Sequence, residues 1–390
     1  MYTNYVKNIC IFGGTFDPPH IGHNEIVKEV ISFLEVDLVI VVPCGQPVHK
    51  SSASDVFHRL EMTKLAFSGM DKVIISNYEA RKKRKSYSLY TVKHFKRQYR
   101  RSKIFFVIGS DSLEEFSTWH RPNELLKYCE IVVIPRANHD FNKAKQNFEK
   151  TYKKKPIILP NEPLNISATE LRVMLEFKLD TKEFLLESVA RYVAENELYS
   201  KHKDICEKAK KYLTKSRLVH TVYTTFEGLR LANKNNADYD KVFLACALHD
   251  IGKNVKEKDW PKYGFENTEN LPQQIVHAPL SAAIAEREFG IADEGILNAI
   301  RYHSTARPEM SLIEKIVYVS DIVEISRQGM DEFRRKCETD LDEGFLLCLK
   351  GSYNYALQTF GVENVSQITK KSINYYKREL REKNEKTKSH

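Results

Sequence analysis

Short β-branched runs alternate with amphipathic helical stretches through the first half of this 390-residue chain, and then the alternation stops. Residues 7–12, 37–42, 72–75, 103–108, 130–134 and 156–159 are short and apolar and read as strands. Between them, residues 21–34, 56–67 and 88–99 place apolar side chains at helical spacing. Such alternation predicts a parallel sheet covered by helices, with ligands bound outside the carboxyl ends of the strands. From residue 204 onward only helical patterns remain, over residues 208–231, 239–249, 280–289, 294–302, 312–326 and 345–359. The chain therefore predicts an α/β, Rossmann-like parallel-sheet domain over residues 1–200. An all-α domain follows over residues 201–390, with the boundary in the polar stretch 199–203.

Composition narrows the setting. Apolar residues at 42% and charged residues at 29% describe a globular chain. No run of 18 apolar residues is present and the first residues lack the pattern of a secretory signal, so no membrane partner is expected. Seven cysteines, odd in number and never spaced CxxC, argue against a disulfide framework or a cysteine-held zinc and fit a cytoplasmic protein. The net charge of +9 gathers in residues 81–85, residues 153–155 and the tail from Lys370, which holds eight Lys/Arg against three Glu. Runs of this kind are expected as solvated faces or frayed ends. No nucleic-acid reader motif accompanies them, so nucleic acid is not an expected partner. A homo-oligomer is left open.

The most informative string is Ile11-Phe12-Gly13-Gly14-Thr15-Phe16-Asp17-Pro18-Pro19-His20-Ile21-Gly22-His23. It joins the first strand to the first helix. Gly13 and Gly14 are expected to take backbone angles closed to other residues, letting N–H groups approach a polyphosphate. His20 and His23, three apart at a helix start, share one side of the helix. With the helix N-terminus they can stabilise charge on an α-phosphorus during nucleotidyl transfer, without any side-chain nucleophile.

This string resembles the signature of the HxGH nucleotidyltransferases, and the wider pattern over residues 6–199 is similar to bacterial nicotinate-nucleotide adenylyltransferases. The loop at residues 42–50 resembles the family segment ending in a phosphate-facing lysine, here Lys50. Gly109-Ser110-Asp111, followed by Phe116 and Trp119, resembles the second signature, and Ile166-Ser167-Ala168-Thr169-Glu170-Leu171-Arg172 the third. Tyr90 and Thr91 keep part of an aromatic-threonine-acid-threonine pattern, with Lys93 at the acidic position and Ala168 in place of a hydroxyl residue. The resemblance implies nucleotide binding by Gly13, Gly14, Thr15, Tyr90, Thr91, Gly109, Asp111, Trp119, Ser167 and Thr169. It implies catalysis by His20, His23, Lys50 and Arg172. The expected substrates are ATP with Mg²⁺ and nicotinate mononucleotide, and the products deamido-NAD and pyrophosphate. Nicotinamide mononucleotide and pantetheine phosphate are alternative acceptors.

In the second half, six histidines follow residue 200, of which His220, His249, His277 and His303 lie within the helical region. With Asp250 and Asp321 they form an ordered set from successive helices, able to converge in a bundle centre. These ligands suit Fe, Mn or Zn, and Asp250 beside His249 is placed to bridge two metals about 3.5–4 Å apart. Leu248-His249-Asp250-Ile251-Gly252-Lys253, together with residues 277–280, 298–312 and 315–321, is similar to the bacterial HD-domain hydrolases that split diadenosine tetraphosphate symmetrically into two ADP. That resemblance covers residues 204–365 and implies two metal ions, iron with manganese as the alternative. One would be held by His220, His249, Asp250 and Asp321, the second by Asp250, His277 and His303. Lys253, Arg301 and Arg307 are candidate phosphate contacts. A general phosphohydrolase or a nucleotide sensor is the alternative reading of this domain.

Overall fold

The computed structural model describes residues 6–45, 54–82, 86–135, 141–160, 164, 166–269, 271–361 and 366–388. It separates into two compact units, Met1–Arg172 with Asp180–Leu198, and Val173–Leu179 with Tyr199–His390.

The first unit is built on six parallel strands, β1 (Asn8–Gly14), β2 (Leu38–Pro43), β3 (Val73–Ile75), β4 (Lys103–Gly109), β5 (Glu130–Ile134) and β6 (Ile157–Ile158). All six fall where the sequence expects them. Their order in the sheet is β3-β2-β1-β4-β5-β6. The order reverses between β1 and β4, so their carboxyl ends flank the crevice in which ligands of such sheets bind. The reason for burial is visible in β1, where Ile9, Cys10 and Ile11 are all fully buried. A strand covered on both faces must be apolar throughout rather than alternating. Helices Ile21–Phe33, Val56–Ala66 and Ser88–Gln98 follow three of the strands.

The second unit is helical from residue 203 onward among the described residues. The pattern over 208–231 splits into Lys203–Lys210 and Lys215–Asn235, because Thr214 accepts the Arg217 N–H and starts a new helix there. The helix expected from residue 280 begins earlier, at Gln273, and carries Pro279 in its interior. Its buried face includes Val276, His277, Ala278, Leu280 and Ser281. The basic tail is not a frayed end. It forms the helix Gln367–Lys388, whose Ile373 and Tyr376 enter the core of the unit. The Tyr376 hydroxyl accepts the Met310 N–H at 2.6 Å. The charges from Lys370 to Glu385 occupy the opposite, solvated side, as an amphipathic pattern requires. None of the helices is long and apolar enough to cross a membrane, among the described residues.

Candidate active sites

The glycine corner differs from its sequence reading in one respect. Gly13 and Gly14 are strand residues paired with Val42 and Pro43, and neither has a positive φ. The strained angle falls on Phe16, φ 51°, whose ring is buried. Gly14 is needed for space, since a Cβ there would stand 2.9 Å from the Phe16 ring. The chain next turns into the helix Ile21–Phe33 through His20, an extended residue just before its first turn.

His20 and His23 lie together as expected, with ring centroids 3.8 Å apart. The His20 N–H donates to Nδ1 of His23 at 3.1 Å. A neutral His23 therefore carries its proton on Nε2, which makes that edge a donor. Phe16 packs on the His23 ring at 5.0 Å and limits its rotation.

The third signature closes on the first. Ser167 accepts the Glu170 N–H at 3.1 Å and starts the helix Ala168–Glu176. Arg172 is buried, and its guanidinium donates to the Asp17 carbonyl at 2.7 Å and to the Thr169 hydroxyl at 3.0 Å. Arg172 and Thr169 are thus tied to the chain between the glycines and His20. Burial pushes the Glu170 carboxyl up to about 7, against a backbone hydrogen bond from Ser167 that pulls it down.

Gly109 ends β4 beside β1 and leads into the short helix Ser110–Glu114, with Asp111 in its first turn. Trp119 is half-buried at the edge of the core, 5.1 Å from Phe116 and 6.2 Å from Phe106. Tyr90 is exposed and its hydroxyl meets Nε2 of His120 at 3.2 Å, with Tyr87 4.6 Å from the same imidazole. Thr91 points inward and bonds the buried Glu79, while Lys93, at the position of the family's acid, pairs with Glu124. Thr15 offers its carbonyl to Arg59 at 2.9 Å. Lys50 lies outside the described residues.

In the second unit the structure brings all six expected ligands to one place. Asp250 Oδ2 lies 3.4 Å from Nε2 of His249 and 3.7 Å from Nε2 of His220, while Oδ1 lies 3.3 Å from His277 and 3.7 Å from His303. The carboxylate thus turns one oxygen to each histidine pair. Asp321 Oδ1 is 2.9 Å from His220 Nε2 and 3.8 Å from His249 Nε2. Donor atoms of His220, His249 and Asp321, and of His249, Asp250 and His303, lie within 4.8 Å of one another.

The imidazoles are fixed by partners outside the cluster. Nδ1 of His249 is 2.7 Å from the Cys246 carbonyl and Nδ1 of His303 is 2.7 Å from the Ile300 carbonyl. His220 Nδ1 faces Glu324 at 3.2 Å. Each of these three rings therefore donates through Nδ1 and turns Nε2 inward. The Nε2 atoms of His220 and His249 are 3.2 Å apart, as are those of His277 and His303. Two nitrogens each about 2.1 Å from a shared cation sit about this far apart. The donor set fits a pair of divalent cations. Burial opposes charging His220, yet Asp321, Glu324 and Asp250 hold its pKa up at about 9. The same carboxylates would attract a cation.

Of the three expected phosphate contacts, Lys253 reaches the site, with Nζ 3.1 Å from His277 Nδ1. Arg301 bonds Asn298, and Arg307 forms a two-armed pair with the buried Glu314 at 2.7 and 3.0 Å. Three residues of the centre were not singled out from sequence: Arg217 on Asp250 at 2.7 Å, Arg327 on Asp321 at 3.1 Å, and Glu324. Arg217 precedes His220 by three residues and Glu324 follows Asp321 by three, so one-turn spacing around each ligand carried the signal.

Residues 11–174 match the cytidylyltransferase-like family and residues 217–325 match the HD domain family. A protein of Albidiferax ferrireducens named "Probable nicotinate-nucleotide adenylyltransferase" is 35% identical over 195 residues, covering 50% of this chain and 98% of that protein. The chain belongs to the nicotinate-nucleotide adenylyltransferase family. It carries an HD domain in addition. A Mycoplasma genitalium protein named "Probable nicotinate-nucleotide adenylyltransferase/Ap4A hydrolase" is 28% identical over 361 residues, covering 88% of this chain and 97% of that one. A crystal structure from Clostridium acetobutylicum, described as a predicted HD superfamily hydrolase involved in NAD metabolism, overlaps 44% of this chain and 95% of its own, at 29% identity and a TM-score of 0.40.

Proposed function

We propose that this chain is bifunctional. Residues 1–200 transfer the adenylyl group of ATP to nicotinate mononucleotide, and residues 201–390 hydrolyse diadenosine tetraphosphate to two ADP. A phosphate oxygen of the mononucleotide attacks the α-phosphorus of ATP, and the bond to the bridging oxygen of the departing Mg²⁺-pyrophosphate breaks. His20 and His23 donate to the oxygens that gain charge, beside the N-terminus of their helix. Gly13, Gly14 and Thr15, at the carboxyl end of β1, are assigned to the phosphates. Thr169 and Arg172 hold the loop around Asp17 in register. Lys50 is assigned to the departing pyrophosphate, and Gly109, Asp111, Tyr90, Thr91, Trp119 and Ser167 to the nucleotides.

In the second half the reading rests on Asp250, whose two oxygens serve two separate histidine pairs. Two cations held there, iron or manganese, would polarise a phosphoryl oxygen and acidify a water. His220, His249 and Asp321 orient one position, His277 and His303 the other. Lys253, Arg217 and Arg327 ring the ligands with positive charge and are suited to the remaining phosphates. Arg301 and Arg307 are assigned to the more distant phosphates. Water adds to one inner phosphorus and the central P–O–P bridge breaks.

The test is product analysis with the full chain. ATP plus nicotinate mononucleotide is expected to give deamido-NAD and pyrophosphate. Diadenosine tetraphosphate is expected to give ADP alone. Release of ATP plus AMP, or turnover only with another mononucleotide acceptor, would overturn the corresponding half.

A further inference from the structure

Arg59 stands on the helix Val56–Ala66 and is one of the largest fully buried side chains among the described residues, 1% exposed. A guanidinium is a costly group to bury and is normally offset by a carboxylate. Here the partners are main-chain carbonyls. Nε donates to Ser54 at 2.9 Å, Nη1 to Thr15 at 2.9 Å and to Cys44 at 2.7 Å, and Nη2 to Gly45 at 2.7 Å. The Cys44 sulfur adds a longer contact to Nη1 at 3.6 Å.

These four carbonyls come from three separate pieces of chain. Thr15 follows the two glycines at the end of β1, Cys44 and Gly45 follow β2, and Ser54 precedes the helix that carries Arg59. The pieces are linked again on the far side. Cys44 N–H donates to the Gly14 carbonyl at 2.8 Å, and Ser54 N–H donates to the Asp17 carboxylate at 3.2 Å. Gly45 has no room for a side chain, since a Cβ would stand 2.4 Å from the Glu79 carbonyl. The turn after β2 is therefore fixed from both sides, and Arg59 brings a positive charge to it with no carboxylate among its own hydrogen-bond partners.

We propose that Arg59 is a positioning residue for adenylyl transfer. Its planar fork sets the glycine corner against the turn after β2, and its positive charge under the corner favours the phosphates bound above it. The inference rests on the proposed adenylyl transfer and adds to it a residue that touches no substrate. Only an arginine supplies five donors in one plane, so a lysine keeps the charge and loses the geometry. The two contributions are thus separable.

The experiment compares wild type, Arg59→Lys and Arg59→Met in the full chain. It measures kcat, the KM of nicotinate mononucleotide and the Kd of a non-hydrolysable ATP analogue. Removal of one preorganised polar group from such a site costs about 100-fold in kcat, which is the loss expected for R59M. The Kd of the ATP analogue is expected to rise about 10-fold in R59M and less than about 3-fold in R59K, since the charge acts on binding. R59K is expected to lose at least about 10-fold in kcat, because the fork is gone. The mononucleotide KM should stay within about twofold in both variants, the pattern of a lost transition-state contribution. A third variant, Arg59→Ala, should regain turnover with added guanidinium ion while the wild type does not. Hydrolysis of diadenosine tetraphosphate should be the same in every variant. If R59M alters neither kcat nor ATP-analogue affinity by more than threefold, or if guanidinium ion restores nothing to R59A, the inference is wrong. If the wild type binds the analogue but makes no dinucleotide, the reading of the first half fails, and Arg59 is still judged by the ordered affinities of wild type, R59K and R59M.

Discussion

His220 faces Glu324 through Nδ1 at 3.2 Å and Asp321 through Nε2 at 2.9 Å, so one imidazole is held between two carboxylates of the same helical segment. Glu324 is buried and also takes the Ser326 N–H and hydroxyl, both at 2.6 Å. It is itself locked, and it fixes both the rotation and the proton position of His220. Partners of this kind typically change metal affinity by about 10- to 100-fold when removed. Glu324→Gln is therefore expected to retain the fold and lose metal affinity by that factor. Titration with Mn²⁺, followed by calorimetry, reads the change directly. An affinity equal to wild type would show that Glu324 does not act on the ligand.

Asp250 gives a sharper test, because it serves both histidine pairs. Asp250→Asn leaves an amide of the same size but removes the shared negative charge from four imidazoles. Metal content measured on the purified protein is expected to fall from about two ions per chain to less than one. Hydrolysis of diadenosine tetraphosphate should fall below detection while adenylyl transfer is unchanged. For comparison, His303→Ala removes a ligand from one position alone, and about one ion should remain. Equal metal loss in the two variants would rule out a bridging role for Asp250.

Substitution of the paired histidines tests the other half. His20→Ala and His23→Ala each remove a group held at the helix start, with the two rings 3.8 Å apart. Each is expected to lower kcat for deamido-NAD formation by about 100- to 1000-fold, the range for loss of one charge-stabilising donor. The two rings touch each other, so the double variant should lose less than the product of the single losses. Steady-state kinetics of the three variants reads both statements. Fully multiplicative losses would mean that the two imidazoles act independently.

Much of this arrangement was legible before any coordinates. All six strands are apolar runs too short to be helices, and their type followed from length and β-branching. The convergence of the six candidate ligands was legible because they fall in or beside successive helical patterns, and because His249-Asp250 closes an apolar run that has to be buried. Other features were hidden for physical reasons. The positive φ belongs to Phe16 rather than to a glycine, since the buried ring holds the backbone there and no local propensity signals it. The helix Gln367–Lys388 hides its apolar stripe among many charges, and the stripe shows where Ile373 and Tyr376 enter the core with Tyr375 and Leu380 packed against it. Arg59 reads as an ordinary surface charge on a helix, because its four carbonyl partners come from three chain segments that meet only in the fold.

Glu170 connects the third signature to pH. Its N–H is accepted by Ser167 at 3.1 Å, in the first turn of the helix that carries Arg172. Burial pushes its carboxyl up to about 7, whereas the reference value is 4.5. Between those two values the folded protein binds more protons than the unfolded chain. Stability therefore falls as pH rises through that window, and the contribution of the protonated carboxyl is fully present only below it. Glu170→Gln cannot ionise and keeps a neutral side chain of the same shape. Its thermal midpoint is expected to decline less than that of wild type between about pH 5 and 7 and to exceed it at the upper end. Melting curves of both proteins at a series of pH values check this. Parallel curves across the window would assign the pH dependence to another group.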